Sequence, residues 1–314
     1  MAERLQGKST LKIDEDFLTR FEEGLDTQNL PGSAIPTSVL GGGEISSVLL
    51  IGDDDSVAYK RMPLSSDRTS MEEYTESYHE YCRFLKEAGL NLPEDKTVLV
   101  EVPGRRIVLY IAQKKLPPER VGNTLIHTLD QGEIERLIER ILTEIEKVWS
   151  FNNSHSPELE LALDGQLSNW VWLKEGPVYY IDTGTPIYRK NEVEQLNTDM
   201  LVNTTPFLLR WIFNTFFLED VLNRYYDPRQ VNIDLVANLY KEQRPDLVPF
   251  AVKIINRKRA ADLEPLTVKE VEKYYKEDRF IWAFVQAMRR LDCWFTTKIL
   301  GRRFEVILPE KIKR

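Results

Sequence analysis

The sequence predicts an α+β fold in two parts: a small β-rich lobe carrying one main helix, then a larger, mostly helical lobe. Three observations predict it. Short β-rich runs broken by turn residues fill residues 36–113. From Pro117 onward the apolar period becomes three and four residues. Strands and helices do not alternate as βαβ units would require. The expected organisation is an N-terminal helical extension over 1–35, a sheet-bearing lobe over 36–115 and a helical lobe over 116–314. A length of 314 residues suits two such lobes.

In the polar extension, one helix is expected near Phe17 to Leu25. Thr37 to Leu40, Ile45 to Ile51 and Val57 to Lys60 read as an antiparallel meander, turned at Gly41-Gly42-Gly43 and at Gly52-Asp53-Asp54-Asp55. A helix over about Thr69 to Ala88 follows, with Met71, Tyr74, Tyr78, Tyr81 and Leu85 on one face and Gly89 as its stop. Thr97 to Val102 and Arg106 to Ala112 complete the first lobe's strands. Gly132 to Phe151 is a long amphipathic helix, with Ile134, Leu137, Ile138, Ile141 and Ile145 on one side. After an irregular interval, Trp170 to Leu173 and Val178 to Ile181 form a short strand pair. Beyond Thr185 nearly everything reads as helix, notably 206–226, 232–243 and 268–300. A last strand is expected over Phe304 to Leu308.

Composition narrows the function. With 42% apolar and 29% charged residues, the chain can bury a core and disorder is excluded as a general description. The net charge of -8 disfavours an extended nucleic-acid footprint, so no nucleic-acid partner is expected. Cys82 and Cys293 are too few for a disulfide framework, and three histidines leave little for a zinc site. The compartment is expected to be reducing and cytoplasmic. The first residues lack an apolar h-region, so no secretory signal is expected. The most apolar stretch, 206–218, is short and holds Arg210 and Asn214, so no membrane partner is expected either.

Four polar features carry possible chemistry. Gly41-Gly42-Gly43-Glu44-Ile45-Ser46-Ser47-Val48 lies between two strands, where glycine lets backbone amides approach phosphate oxygens. By itself such a run is more often a flexible hairpin turn. Lys60 stands on a strand, where a lysine is commonly solvated or else aimed at an anion. Asp164 and Asn169 share the irregular interval, and Asp182-Thr183-Gly184 ends the strand pair; single Asp and Asn residues are common in turns. Tyr225-Tyr226-Asp227-Pro228 and Asp234 to Leu239 read as helix capping and packing.

In their order and setting these features resemble the protein-kinase-like fold, in particular its small-molecule branch of aminoglycoside phosphotransferase and choline kinase relatives. Gly41-x-Gly43-x-x-Ser46-x-Val48 is similar to the nucleotide loop, Val57-Ala58-Tyr59-Lys60 to the lysine strand, Asp164 and Asn169 to the catalytic loop, and Asp182-Thr183-Gly184 to the metal-binding turn. The resemblance covers about residues 36–190. It implies a bilobal ATP- and Mg²⁺-dependent phosphotransferase acting on a small-molecule hydroxyl. Gly41, Gly43, Ser46 and Val48 would cover the nucleotide, and Lys60 would hold its α/β phosphates. Ala112 to Lys115, with Ala112 and Lys114 foremost, would line the adenine hinge. Asn169 and Asp182 would bind Mg²⁺, and Asp164 would act as the base.

The pattern also departs from that family. Ala162 stands where the family has histidine, Thr183 replaces phenylalanine, and no A-P-E-like run follows Asp182. Glu76 and Glu80 are the nearest candidates for the helix glutamate that pairs with Lys60, although counting back from Gly89 lands nearer Tyr78. A pseudokinase, binding nucleotide without turnover, and a kinase-fold nucleotidyl transferase are therefore the alternative readings.

Overall fold

Five antiparallel strands, β1 (Thr37–Gly42), β2 (Ser47–Ile51), β3 (Val57–Ser65), β4 (Asp95–Val100) and β5 (Ile107–Lys114), form one sheet in the order β1-β2-β3-β5-β4. The computed structural model describes residues 10–42, 46–65, 67–197, 218–259 and 264–308. Alternation along β3 sets the two faces of the sheet. Val57 and Tyr59 join a core on the back, while Lys60 and Met62 face forward.

The back is covered by α1 (Glu15–Gly24), capped by Asp14, whose side chain accepts from the Phe17 amide. Leu18, Phe21 and Leu25 pack on Leu49, Ile51, Tyr59 and Tyr110. The front receives α2 (Arg68–Glu87), capped by Asp67 and followed by Gly89 at φ +93°, a left-handed position that favours glycine.

The helical part comprises α3 (Gly122–Leu125), α4 (Gln131–His155), α5 (Leu218–Tyr226), α6 (Pro228–Lys241), α7 (Val248–Lys258) and α8 (Val268–Trp294). Residues 206–217 of the expected 206–226 helix lie outside the described residues. Helices α4, α6 and α7 share the largest apolar core. The expected strand pair is present as β7 (Trp170–Trp172) and β8 (Val178–Tyr180).

Two expectations are corrected. The region beyond Thr185 does not turn directly to helix, because β9 (Tyr188–Lys190) and β10 (Val193–Glu194) form a hairpin that pairs with β6 (Leu159–Leu161). Its turn residues Asn191 and Glu192 take φ 47° and 66°, the positive pair a two-residue hairpin needs. Phe304 to Leu308 is irregular, with a bend at Val306, and joins no sheet. Its Phe304 carbonyl accepts from the Thr27 hydroxyl, and its Glu305 carbonyl accepts from Arg61 at 2.8 Å. These side chains satisfy the backbone that a neighbouring strand would otherwise have met. The tail thus returns to the back of the sheet, where Ile307 joins the α1 core.

Both cysteines are free and buried. Among the described residues, no helix is long and apolar enough to cross a membrane.

A buried ion pair ties α1 to the sheet. Arg61 donates from Nη2 to Glu22 Oε1 at 2.7 Å and from Nε to Oε2 at 3.0 Å, with side chains only 3% and 1% exposed. Tyr110 donates its hydroxyl to the same carboxylate. Burial pushes the Glu22 carboxyl up, but hydrogen bonding and charge from Arg61, with Tyr110 assisting, hold it below its ordinary value. Removing one partner strands the other charge, so Arg61→Met is expected to cost about 3–5 kcal/mol in denaturant unfolding. Glu22→Leu combined with Arg61→Met should recover most of that loss. A double variant no more stable than Arg61→Met would show that the stranded carboxylate is not the cause.

Candidate functional site

The forward face of the sheet and the helical part enclose a cleft of about 510 Å³. Cross-strand register explains its upper wall. Val48 pairs with Lys60, and Lys60 with Ile111, so these side chains share one face. Gly41, Ser46 and Val48 line the cleft beside Lys60 and Lys114. Gly43 lies outside the described residues.

The lower wall is built by the β7–β8 pair. Trp170 opposes Tyr180, and the Ile181 amide donates to the Asn169 carbonyl at 2.9 Å. That register sets Asp182 next to the loop 164–169. Within this loop the Asn169 side chain donates to the Asp164 carbonyl at 3.2 Å, and the Gln166 amide donates to Asp164 Oδ1 at 3.0 Å. Gly165 is pressed against α6, and a Cβ there would stand 2.8 Å from Val231 Cγ1. Only glycine fits that approach without displacing Val231. Lys60 Nζ donates to the Ile181 carbonyl at 2.6 Å and pairs with Asp182 Oδ1 at 3.2 Å.

Eight of the residues singled out in the sequence therefore meet at one cleft: Gly41, Ser46, Val48, Lys60, Lys114, Asp164, Asn169 and Asp182. Three do not. Ala112 is fully buried on the opposite face against the α1 core, and its backbone belongs to the β3–β5–β4 ladder. The neighbouring Lys114 and Lys115 amides are also committed, donating to the Glu94 and Ser56 carbonyls at 2.8 Å each.

Glu76 is exposed, and Glu80 accepts from Lys190 at 2.6 Å and from Tyr188 at 2.8 Å. Neither pairs with Lys60. Two residues along a helix is a turn of about 200°, so Glu76 and Glu80 point away from the side held by Tyr74 and Tyr78.

That side of α2 carries what the sequence reading took as apolar packing alone. Tyr74 donates to the Gly184 carbonyl at 2.7 Å, and Tyr81 donates to the Ala162 carbonyl at 2.6 Å. Between them, Gln113 donates to Thr183 Oγ1 at 3.0 Å, Thr183 to the Tyr78 hydroxyl at 3.5 Å, and Tyr78 to Asp95 at 2.9 Å. Burial raises the pKa of all three phenols, so they remain protonated donors. The 3-4 spacing was visible, but nothing in it told a hydroxyl with a carbonyl partner from a packed ring.

Helix α6 was read as capping and packing. Leu235, Val236, Ala237 and Leu239 do pack in the core, and Asp227 caps the helix. Asp234 instead lines the cleft, and Asn238 and Lys241 reach Gln166 Oε1 at 3.3 and 3.0 Å. Polar residues at i, i+4 and i+7, with Asp234 and Asn238 set in the apolar run 233–239, were the signal that could have found them.

Burial raises the Asp164 carboxyl well above its ordinary value of 3.8, and the charges of Asp234 and Asp182 push the same way. The Gln166 amide and Lys241 oppose the rise. Carbon-13 NMR titration of the Asp164 carboxyl should therefore move in opposite senses in two variants. Asp234→Asn removes a like charge and lowers the midpoint; Lys241→Met removes an opposite charge and raises it. Movement in the same direction in both would contradict this electrostatic arrangement.

Residues 53–293 match the model of DUF6206, described as a family of unknown function. The match takes in Lys60, Asp164, Asn169, Asp182, Asp234 and Lys241, while the glycine hairpin and α1 precede it. The sequence matches no curated protein. The matched span is most of the chain, and the protein belongs to the DUF6206 family.

Proposed function

We propose that this protein is an ATP- and Mg²⁺-dependent phosphotransferase of bilobal protein-kinase-like architecture, acting on a hydroxyl of a small molecule. The convergence of Lys60, Asp164, Asn169 and Asp182 on one cleft beneath the glycine hairpin carries the reading. Those four residues come from β3, a loop, the start of a strand pair and its end, and core packing alone does not require polar residues at all four places. In the proposed reaction Lys60 binds phosphate oxygens, and Asp164 orients the acceptor hydroxyl and takes its proton. The raised affinity of Asp164 for a proton suits a base working nearer neutrality than an ordinary aspartate.

The donors at Asp182 and Asn169 fit a hard cation. The Asp182 side chain is 41% exposed and has Lys60 on Oδ1 only, while Asn169 uses its amide nitrogen on Asp164 and its Oδ1 accepts from the Ser168 hydroxyl at 3.4 Å, leaving that oxygen a second lone pair. Among the described residues no group of three or more His, Cys, Asp or Glu is arranged to hold a metal. Magnesium needs no such group, because it takes one or two protein oxygens and fills its shell with water and phosphate. When bound, it would neutralise charge on the transferring phosphoryl group.

The rival reading is a pseudokinase. It is favoured by α2, which offers Lys60 no glutamate and leaves it paired with Asp182. Thermal shift and turnover together separate the two. Mg-ATP is expected to raise the Tm of the wild type, and Lys60→Ala and Asp182→Asn to abolish that rise. Asp164→Asn should retain the rise while lowering phosphotransfer, measured against a panel of hydroxyl compounds, by about 10²–10⁴-fold. An unchanged Tm rise in both Lys60→Ala and Asp182→Asn would sink the nucleotide site. A Tm rise without turnover on any acceptor would favour the pseudokinase.

A further inference from the structure

Helix α8 is apolar on the side where a surface helix should be polar. Its inward side carries the buried residues Val271, Val285, Arg289 and Cys293. At 3.6 residues per turn, Phe280, Phe284, Leu291, Trp294 and Phe295 fall within about a third of the circumference, opposite that buried side. They are 74%, 44%, 46%, 53% and 47% exposed, and Ile299 continues the stripe. Most of the exposed large apolar side chains of the described structure lie on this one stretch. Clustering of this kind marks a contact surface, whereas scattered exposed apolar residues need no explanation.

The charge around the stripe is as uneven as its hydropathy. Between Arg279 and Arg303 there are six basic residues and one acidic residue, in a chain whose net charge is -8. Arg279, Arg290, Lys298 and Arg302 are exposed. An aromatic and aliphatic stripe flanked by cations is the pattern of a helix lying in the interface of an anionic bilayer. The stripe runs about 30 Å along one side of a single helix. A second copy on the same face would bring the flanking cations of both chains together, whereas anionic headgroups neutralise them.

We infer that the C-terminal half of α8 docks this protein on the surface of membranes rich in anionic lipid. The inference departs from the expectation of no membrane partner, which rested on the shortness of the most apolar stretch; a surface contact requires no spanning segment. The inference is independent of the reaction proposed for the cleft.

Co-sedimentation of the full chain with phosphatidylcholine vesicles, with and without phosphatidylserine, tests it. The wild type is expected to pellet with the phosphatidylserine vesicles and to be released as salt rises. Arg290→Gln and Lys298→Gln should each lower the partition coefficient about fivefold, equivalent to about 1 kcal/mol per basic side chain. Phe280→Ser combined with Phe284→Ser should abolish binding at an unchanged Tm, since both rings are exposed. Wild type that stays in the supernatant with both vesicle types overturns the inference, as does undiminished binding by the Phe280→Ser/Phe284→Ser variant. Sedimentation showing that the stripe instead joins two copies, with no vesicle binding, also overturns it.

Discussion

Two aspartates on separate loops share this cleft only because one face of one helix holds both loops. Tyr81 fixes the carbonyl of Ala162, two residues before Asp164, and Tyr74 fixes the carbonyl of Gly184, two residues after Asp182. Each neutral hydrogen bond contributes about 0.5–1.5 kcal/mol net, but breaking one strands a buried carbonyl and costs more. Tyr78 sits between them in a chain running from Gln113 through Thr183 to Asp95, which links β5, the Asp182 turn, α2 and β4. Such chains polarise one another in a low-dielectric interior. The front of the sheet, α2 and both loops therefore form one hydrogen-bonded unit, and the position of each carboxylate depends on the others.

The same arrangement sets opposite charges side by side. Asp164, Asp182, Asp234 and Asp278 line the cleft together with Lys60, Lys241 and four further cationic side chains. Lys241 also holds Gln166, whose amide caps the Asp164 carboxylate. Helix α6 thus acts on Asp164 both through charge and through the shape of its loop. The Gly165 contact with Val231 sets the distance between that helix and the loop.

Much of the sheet was legible because its side-chain period is two and its turns are marked by glycine and aspartate. Lys60, Asp164 and Asp182 were each ordinary alone and stood out only through their order along the chain, which resembles that of the protein-kinase-like fold. Other features needed the third dimension. Arg61 and Glu22 are 39 residues apart, and nothing local says that two ordinary surface residue types will bury each other. Ala112 looked like part of a hinge, but strand alternation places it behind the sheet, one residue out of phase with Gln113. The helix glutamate was sought among glutamates, while the face toward the sheet was already given to tyrosines whose period read as core. The β9–β10 hairpin escaped notice because its strands are three and two residues long, too short for alternation to show.

The α2 face toward the cleft carries tyrosines, and this decides how Lys60 is neutralised. A protonated phenol carries no counter-charge, and Lys60 takes its ion pair from Asp182 instead. On the proposed reading, Asp182 is also the metal-binding carboxylate, so the phosphate-binding lysine and the cation compete for one side chain. A polyphosphate arriving without its cation would find Lys60 already paired with Asp182, whose carboxylate would stand against its own charge. On that reading, Mg²⁺ arriving with the polyphosphate would give Lys60 a new anion and Asp182 a new cation at the same time, and the Lys60–Asp182 ion pair would couple nucleotide and metal binding without a helix glutamate.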